Sequence, residues 1–110
     1  DVIMIDRLSL ISIAKGDVAK AIEYTEKLAD IDPGYLVRMR LVLLYFEAND
    51  KQKFNQCLNA FDDEELKSLV GLFFSDEKQR TFPLSATREM MISKLNDARE
   101  RRQLFKNIVY

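Results

Sequence analysis

Few side chains in this 110-residue chain could carry out chemistry. The chain contains no histidine, so it lacks the commonest acid–base catalyst and the commonest metal ligand. The single cysteine, Cys57, therefore has no imidazole to activate it, and we interpret it as a structural thiol. Residues 62–65 (DDEE) lack the alternating spacing and central glycine of a calcium loop. We predict a protein without catalytic activity, cofactor or bound metal.

The composition indicates a single helical globular domain. Hydrophobic residues make up 47% of the chain and charged residues 32%, and only three glycines and two prolines are present, which favours long helices. The formal net charge of −1 gives no general attraction to nucleic acid, and no apolar stretch is long enough to span a bilayer. A single cysteine forms no intramolecular disulfide, so the sequence favours the cytoplasm without specifying a compartment.

Apolar residues at helical spacing predict six helices, separated by residues that end or cap helices. A Gly-Asp pair at residues 16–17 would end one helix and cap the next, and an Asp-Pro pair at 32–33 marks a turn. An Asn-Asp pair repeats the first arrangement 33 residues later, at 49–50, and this period indicates structural repeats. The acidic run 62–65 fits a helix N-terminus. The predicted helices cover residues 2–14, 18–29, 36–48, 51–60, 64–74 and 86–109.

The stretch KGDVAKAIEYTEKLADIDP, residues 15–33, resembles the second half of a tetratricopeptide repeat. The Gly-Asp pair matches the turn between the two helices of a repeat, and Ala21 matches the small residue where those helices cross. The second copy is degenerate, because Phe54 replaces the small residue and should push its helix pair apart. The matching positions with a structural role are Gly16, Asp17, Ala21, Pro33, Asn49 and Asp50.

This resemblance implies an all-α fold in which antiparallel helix pairs stack side by side as a solenoid. We expect one domain over residues 1–110, with about two repeats, a fifth helix and a long C-terminal capping helix. The implied segments are repeat 1 (1–34), degenerate repeat 2 (35–61), partial repeat 3 (62–74) and the capping helix (85–109).

The resemblance also implies a concave face, lined by the first helix of each repeat, that binds a partner protein or an apolar peptide. Its expected residues are Ile3, Asp6, Leu10 and Ile13 from the first repeat and Leu36, Met39, Leu43, Phe46 and Glu47 from the second. Co-chaperones of the family clamp a terminal carboxylate with basic residues, but Asp6 and Leu10 occupy the first two clamp positions here. The face could be covered by the protein's own chain or by a partner, with Asp6, Arg38, Arg40 and Glu47 setting a partner's orientation from the rim.

The last predicted helix is basic and carries a wide apolar stripe. Three roles are open for it: a cap on the solenoid, a homodimer contact, or binding to nucleic acid or acidic lipid through ARERRQLFK, residues 98–106. Asp97 and Glu100 reduce the net positive charge of this segment, and it has no set of aromatic side chains on which nucleic-acid bases could stack. The third role is therefore disfavoured. The stripe with 4-3-4-3-4 spacing consists of Met91, Leu95, Ala98, Arg102, Phe105 and Val109.

The sequence begins at Asp1, without an initiator methionine and without a convincing helix cap, so we expect a piece of a longer protein. The preferred function is non-catalytic protein–protein interaction through the concave face. The alternative is a regulatory, sensor or dimerisation domain of a larger transcriptional regulator.

Overall fold

A computed structural model describes residues 1–73 and 88–109, with side chains described as far as residue 102. Over these residues the chain is all-helical, as predicted, and contains no strand. It separates into two compact units, Asp1–Cys57 and Leu58–Tyr110. The helices are α1 (Val2–Ala14), α2 (Val18–Ile31), α3 (Tyr35–Ala48), α4 (Lys51–Leu58), α5 (Asp63–Phe73) and α6 (Arg88–Val109).

All six predicted helices are present, and their described boundaries lie within two residues of the prediction. Helix α2 continues to Ile31, because Pro33 excludes helical backbone only at the residue before it. Helix α4 ends at Leu58 rather than at residue 60. Residue 74, the predicted irregular stretch 75–84 and the predicted helix start at 86–87 lie outside the described residues.

The helix ends repeat with the period predicted from the sequence. Gly16, just beyond the end of α1, has a φ of 76°, and Asn49, at the end of α3, has a φ of 55°. The amide of Asp17 donates to the Ser12 carbonyl at 2.9 Å, and 33 residues later the amide of Asp50 donates to the Tyr45 carbonyl at 3.1 Å. At both places the bond spans a residue with left-handed backbone, and this arrangement ends the helix.

The aspartates after these helix ends cap the next helices, as predicted. Asp17 accepts a hydrogen bond from the amide of Lys20 at 3.1 Å, and Asp50 accepts one from Lys53 at 3.1 Å. The expectation that α1 lacks a cap is wrong, because the Asp1 carboxylate accepts from the amide of Ile3 at 2.9 Å. Local side-chain chemistry therefore fixes where α1, α2 and α4 begin.

Helices α1 and α2 form a closely packed antiparallel pair, joined by a three-residue connection. Small residues fill the contact: Ser9, Ala21 and Thr25 are all fully buried. Helix α3 packs against α2. The backbones of α3 and α4 make no comparably close approach, and Phe54 is fully buried with its ring centroid 6.2 Å from that of Phe46. This agrees with the expected effect of a large residue at that position.

The second unit is built on the contact between α5 and α6. Asp62 and Glu65 form a reciprocal capping box at the start of α5: the Glu65 amide donates to Asp62 at 2.8 Å, and the Asp62 amide donates to Glu65 at 3.0 Å. Arg88 donates to the carbonyls of Leu58 and Asn59. The core side chains are Leu58, Phe61, Leu66, Leu69, Val70, Met91 and Leu95.

Candidate functional site

The predicted concave face lies on α1 and α3, and we call it the groove face. It comprises the nine residues Ile3, Asp6, Leu10, Ile13, Leu36, Met39, Leu43, Phe46 and Glu47. The structure places its five aliphatic side chains other than Met39 at the surface, with Ile3 64% exposed and Leu36 69% exposed. Glu47 is exposed, whereas Asp6, Met39 and Phe46 are half-buried.

Helix α1 has an inverted distribution of polar and apolar residues. Its buried residues are two serines, Ser9 and Ser12. Its large aliphatic residues are instead exposed or only half-buried. Because a surface helix normally buries its apolar stripe, the exposed side of α1 has the character of a contact surface. The exposed side chains are Val2, Ile3, Met4, Leu10, Ile11 and Ile13.

A chain of polar contacts joins the first three helices. Arg40 on α3 donates to the Asp6 carboxylate at 2.7 Å and to the Ser9 hydroxyl at 3.3 Å. The Thr25 hydroxyl donates to the Ala21 carbonyl at 2.6 Å, so it accepts from Ser9, whose oxygen is 2.7 Å away. These directed bonds tie α1 to both α2 and α3.

Three of the residues that we expected at the rim, where they would set a partner's orientation, form bonds within the protein instead. Asp6 and Arg40 form an ion pair with each other, and their side chains are 41% and 22% exposed. The Arg38 Nε donates to the Pro33 carbonyl at 2.9 Å. Sequence reasoning missed the Asp6–Arg40 pair because its members are 34 residues apart. One signal in the sequence could have predicted this ion pair. The two residues have opposite charges and lie about one structural period apart, on helices that we expected to be neighbours.

A hollow of about 390 Å³ opens between α1, the end of α2 and the start of α3. It brings together Ile3, Asp6 and Leu36 of the predicted set. It does not include the remaining six predicted residues. Its lining also contains Val2, Arg7, Leu28, Asp32, Val37 and Arg40. The lining of the hollow therefore combines exposed aliphatic side chains with the Asp6–Arg40 ion pair.

A second hollow, of about 280 Å³, is lined by Glu26, Leu41, Tyr45, Lys53, Gln56 and Cys57. Burial, and after it the charge of Glu26, raises the pKa of Tyr45 to about 12. Burial also raises the pKa of Cys57 to about 11, against the opposing effect of Arg38. Both side chains are therefore protonated at neutral pH, and the Cys57 thiol donates to the Arg38 carbonyl at 3.7 Å. A protonated thiol is a weak nucleophile.

Helix α6 shows part of its predicted stripe. Met91 and Leu95 are buried, but the buried side continues at Arg99, which is 5% exposed, whereas Ala98 and Arg102 are half-buried. Of the three arginines in the basic segment, only Arg101 is well exposed. The side chains of Phe105 and Val109 lie outside the described residues.

Within the part of the chain that the structure describes, no cluster of three or more acidic or cysteine side chains could hold a metal ion. None of the described helices combines the length and the hydropathy needed to cross a membrane. Comparison with protein-family models, with curated proteins and with solved structures finds no match. The tetratricopeptide resemblance therefore stays a prediction.

Proposed function

We propose that this protein is a non-catalytic interaction module that binds an apolar segment of a partner protein on the groove face of a tetratricopeptide-like helix stack. The inverted character of α1 is the observation that carries the proposal. A helix that turns serines inward and isoleucines and leucines outward loses free energy in water unless another surface covers the outward side. The outer side of α2 is charged instead, with Lys20, Glu23, Lys27 and Asp30 exposed.

The arrangement of the groove face fits a segment lying across two helices. The Asp6–Arg40 pair holds α1 and α3 together, and Ile3 and Leu36 flank the hollow beside that pair. Burial of each Leu-sized partner side chain would contribute roughly 1.5–3 kcal/mol before ordering costs. Two or three such side chains would supply roughly 3–9 kcal/mol, so micromolar binding, which needs about 8 kcal/mol, is the upper limit.

The test uses site-specific photo-crosslinking in the native host. A photoreactive amino acid replaces Leu36 on the groove face or, as a matched control, Leu72 on α5, another well-exposed leucine. We expect a discrete crosslinked partner from position 36 and none from position 72. The partner is then purified, and its affinity is measured for the wild type, Leu36→Asp with Leu43→Asp, and Leu72→Asp.

The groove-face variant should bind at least about tenfold more weakly, because each aspartate removes an apolar contact and places a charge in the interface. Leu72→Asp should leave the affinity unchanged. Equal affinities of the wild type and a folded groove-face variant would refute the proposal, and so would crosslinking from position 72 alone. Far-UV circular dichroism checks that each variant is folded.

A further inference from the structure

The hollow between α1, the end of α2 and the start of α3 is largely apolar, and we call it the Arg7 hollow. Two of its lining side chains, Leu28 and Val37, are buried, whereas Ile3 and Leu36 are well exposed. Its volume of about 390 Å³ is enough for one large apolar side chain. Cavities that bind ligands commonly combine such apolar walls with a few polar groups that fix the orientation of the ligand.

The polar groups of the Arg7 hollow are two acidic and two basic side chains, Asp6, Arg7, Asp32 and Arg40. Asp6 and Arg40 neutralise each other, because the Arg40 Nη1 lies 2.7 Å from the Asp6 carboxylate. Arg7 and Asp32 are both exposed, and neither forms an ion pair with any residue that the structure describes. The hollow therefore offers a partner one cation, on α1, and one anion, just beyond the end of α2.

The two available charges suit different groups of a partner. The Arg7 guanidinium can donate two parallel hydrogen bonds to a carboxylate. The Asp32 carboxylate accepts from the Gly34 amide through Oδ1 at 3.1 Å, which fixes its position before a partner binds. Because exposed ion pairs add little affinity, we expect these two charges to select and orient a partner whose apolar side chain supplies most of the binding.

We propose that the partner segment on the groove face places one large apolar side chain in the Arg7 hollow, with an acidic residue facing Arg7 and a basic residue facing Asp32. This inference rests on the proposed function and specifies the chemistry of the partner. The two charges fix the direction of the segment, because the opposite direction brings like charges together. The lining has equal numbers of acidic and basic side chains, so it gives no general attraction for nucleic acid or acidic lipid.

The test starts from a phage-displayed library of random peptides of about 12 residues, long enough to cross the hollow. Selection on the wild type includes an excess of soluble Leu36→Asp with Leu43→Asp, which removes peptides that bind elsewhere. The enriched peptides should carry an acidic and a basic residue on opposite sides of a large apolar residue, always in the same order. One of them is synthesised with blocked ends, so that its charges come from side chains, and its affinity is measured by fluorescence anisotropy.

Charge exchange then tests each of the two residues. Lysine in place of the peptide's acidic residue should weaken binding to the wild type about three- to fivefold, and Arg7→Glu should reverse this preference. Arg7→Gln should bind both peptides equally. Asp32→Asn, which keeps an oxygen for the Gly34 amide, should remove the preference for the peptide's basic residue. Lys15→Glu and Asp30→Asn change exposed charges outside the hollow, so as matched controls they should leave both preferences unchanged.

The outcomes separate this inference from the groove-face function. Weaker binding by Leu36→Asp with Leu43→Asp, but unchanged preferences in Arg7→Glu and Asp32→Asn, would overturn the inference and leave the groove-face function standing. Selection that yields only peptides bound equally well by the Leu36 and Leu43 variant would contradict both. A dimer in light scattering that Arg7→Glu dissociates would assign the hollow to a second copy of the chain and overturn the inference. Far-UV circular dichroism checks that each variant is folded.

Discussion

At the scale of single residues, the most informative feature is the hydroxyl chain inside the first unit. Ser9 and Thr25 are fully buried, and each has a partner: Ser9 donates to Thr25, and Thr25 donates to the Ala21 carbonyl. Buried hydroxyls are costly when one partner is removed and nearly neutral when both are replaced by apolar groups of similar shape. Their contributions to stability should therefore be coupled.

We predict that Thr25→Val lowers the free energy of unfolding by about 1–2 kcal/mol, because it leaves the Ser9 hydroxyl without its acceptor. Adding Ser9→Ala to Thr25→Val should cost less than the sum of the two single changes. Urea denaturation of the two single variants and the double variant measures the coupling. Strictly additive effects would show that this hydrogen bond contributes nothing.

The single thiol gives a second prediction at this scale. The pKa of Cys57 rises from 9.0 to about 11 on folding, chiefly through burial. Between these two values the unfolded chain releases the thiol proton while the folded chain keeps it, so this thiol favours folding below about pH 9 and loses that contribution as pH rises toward 11. At pH 8, iodoacetamide should alkylate Cys57 much more slowly in the native protein than in urea. Equal rates would contradict the burial of the thiol.

At the scale of the secondary-structure elements, α1 contrasts with α2. Helix α2 follows the usual pattern, with a charged outer side and Ala21, Thr25 and Leu28 buried. Helix α1 buries serines because its contact with α2 is close, and only small side chains fit there. Its outward aliphatic residues therefore add little to the stability of the unit itself.

This contrast predicts an unusual response to mutation. Ile3→Gln with Leu10→Gln should change the free energy of unfolding by only about 0.5 kcal/mol, because both side chains already contact water. Ser12→Leu should destabilise the protein by about 1–3 kcal/mol through overpacking, although it makes α1 more apolar. Thermal unfolding ranks these variants, and the reverse order would show that α1 packs through its aliphatic residues.

In the second unit, Arg88 links the start of α6 to residues 58–63. Its guanidinium donates at 3.2 and 3.0 Å to the carbonyls of Leu58 and Asn59 and at 3.3 Å to Asp63. Arg88→Ala should cost about 1–2 kcal/mol, and Arg88→Lys should recover only part of this, because an ammonium group lacks the fork that reaches several acceptors. Arg101→Ala, an exposed arginine on the same helix, is the control in urea denaturation and should have little effect. A full rescue by lysine would mean that charge alone is sufficient.

At the scale of the whole molecule, the exposed apolar surface is unevenly distributed. Among the described residues, the large exposed hydrophobic side chains lie on α1, α2 and α3, with the exceptions of Leu72 and Met90. Such concentration on three helices is typical of interaction surfaces and not of scattered surface residues. The groove-face proposal follows from this distribution.

The distribution predicts that the native protein enhances the fluorescence of anilinonaphthalene sulfonate, an anionic apolar dye. Lys20→Glu with Lys27→Glu should reduce this enhancement more than Lys51→Glu with Lys67→Glu, because the first pair borders exposed apolar residues. A fluorescence titration of folded protein makes the measurement. An absence of enhancement would indicate that the apolar side chains are too dispersed to bind a ligand.

The sequence by itself determined the features that depend on neighbouring residues. The six helices, the caps at Asp17 and Asp50 and the left-handed residues Gly16 and Asn49 follow from local propensity and hydrogen bonding, which act over a few positions. The groove-face residues were chosen from the family resemblance and not from local propensity, and their role as a binding site stays a proposal.

Only the tertiary structure decided which side of each helix meets which neighbour. The Asp6–Arg40 pair and the Ser9–Thr25 bond join residues 34 and 16 positions apart, and their partners depend on helix register. Register follows from how closely two backbones can approach, and the small side chains at the α1–α2 contact set that distance. Hydrophobic periodicity alone pointed the other way for α1, since it favours burial of the aliphatic side that the structure leaves exposed.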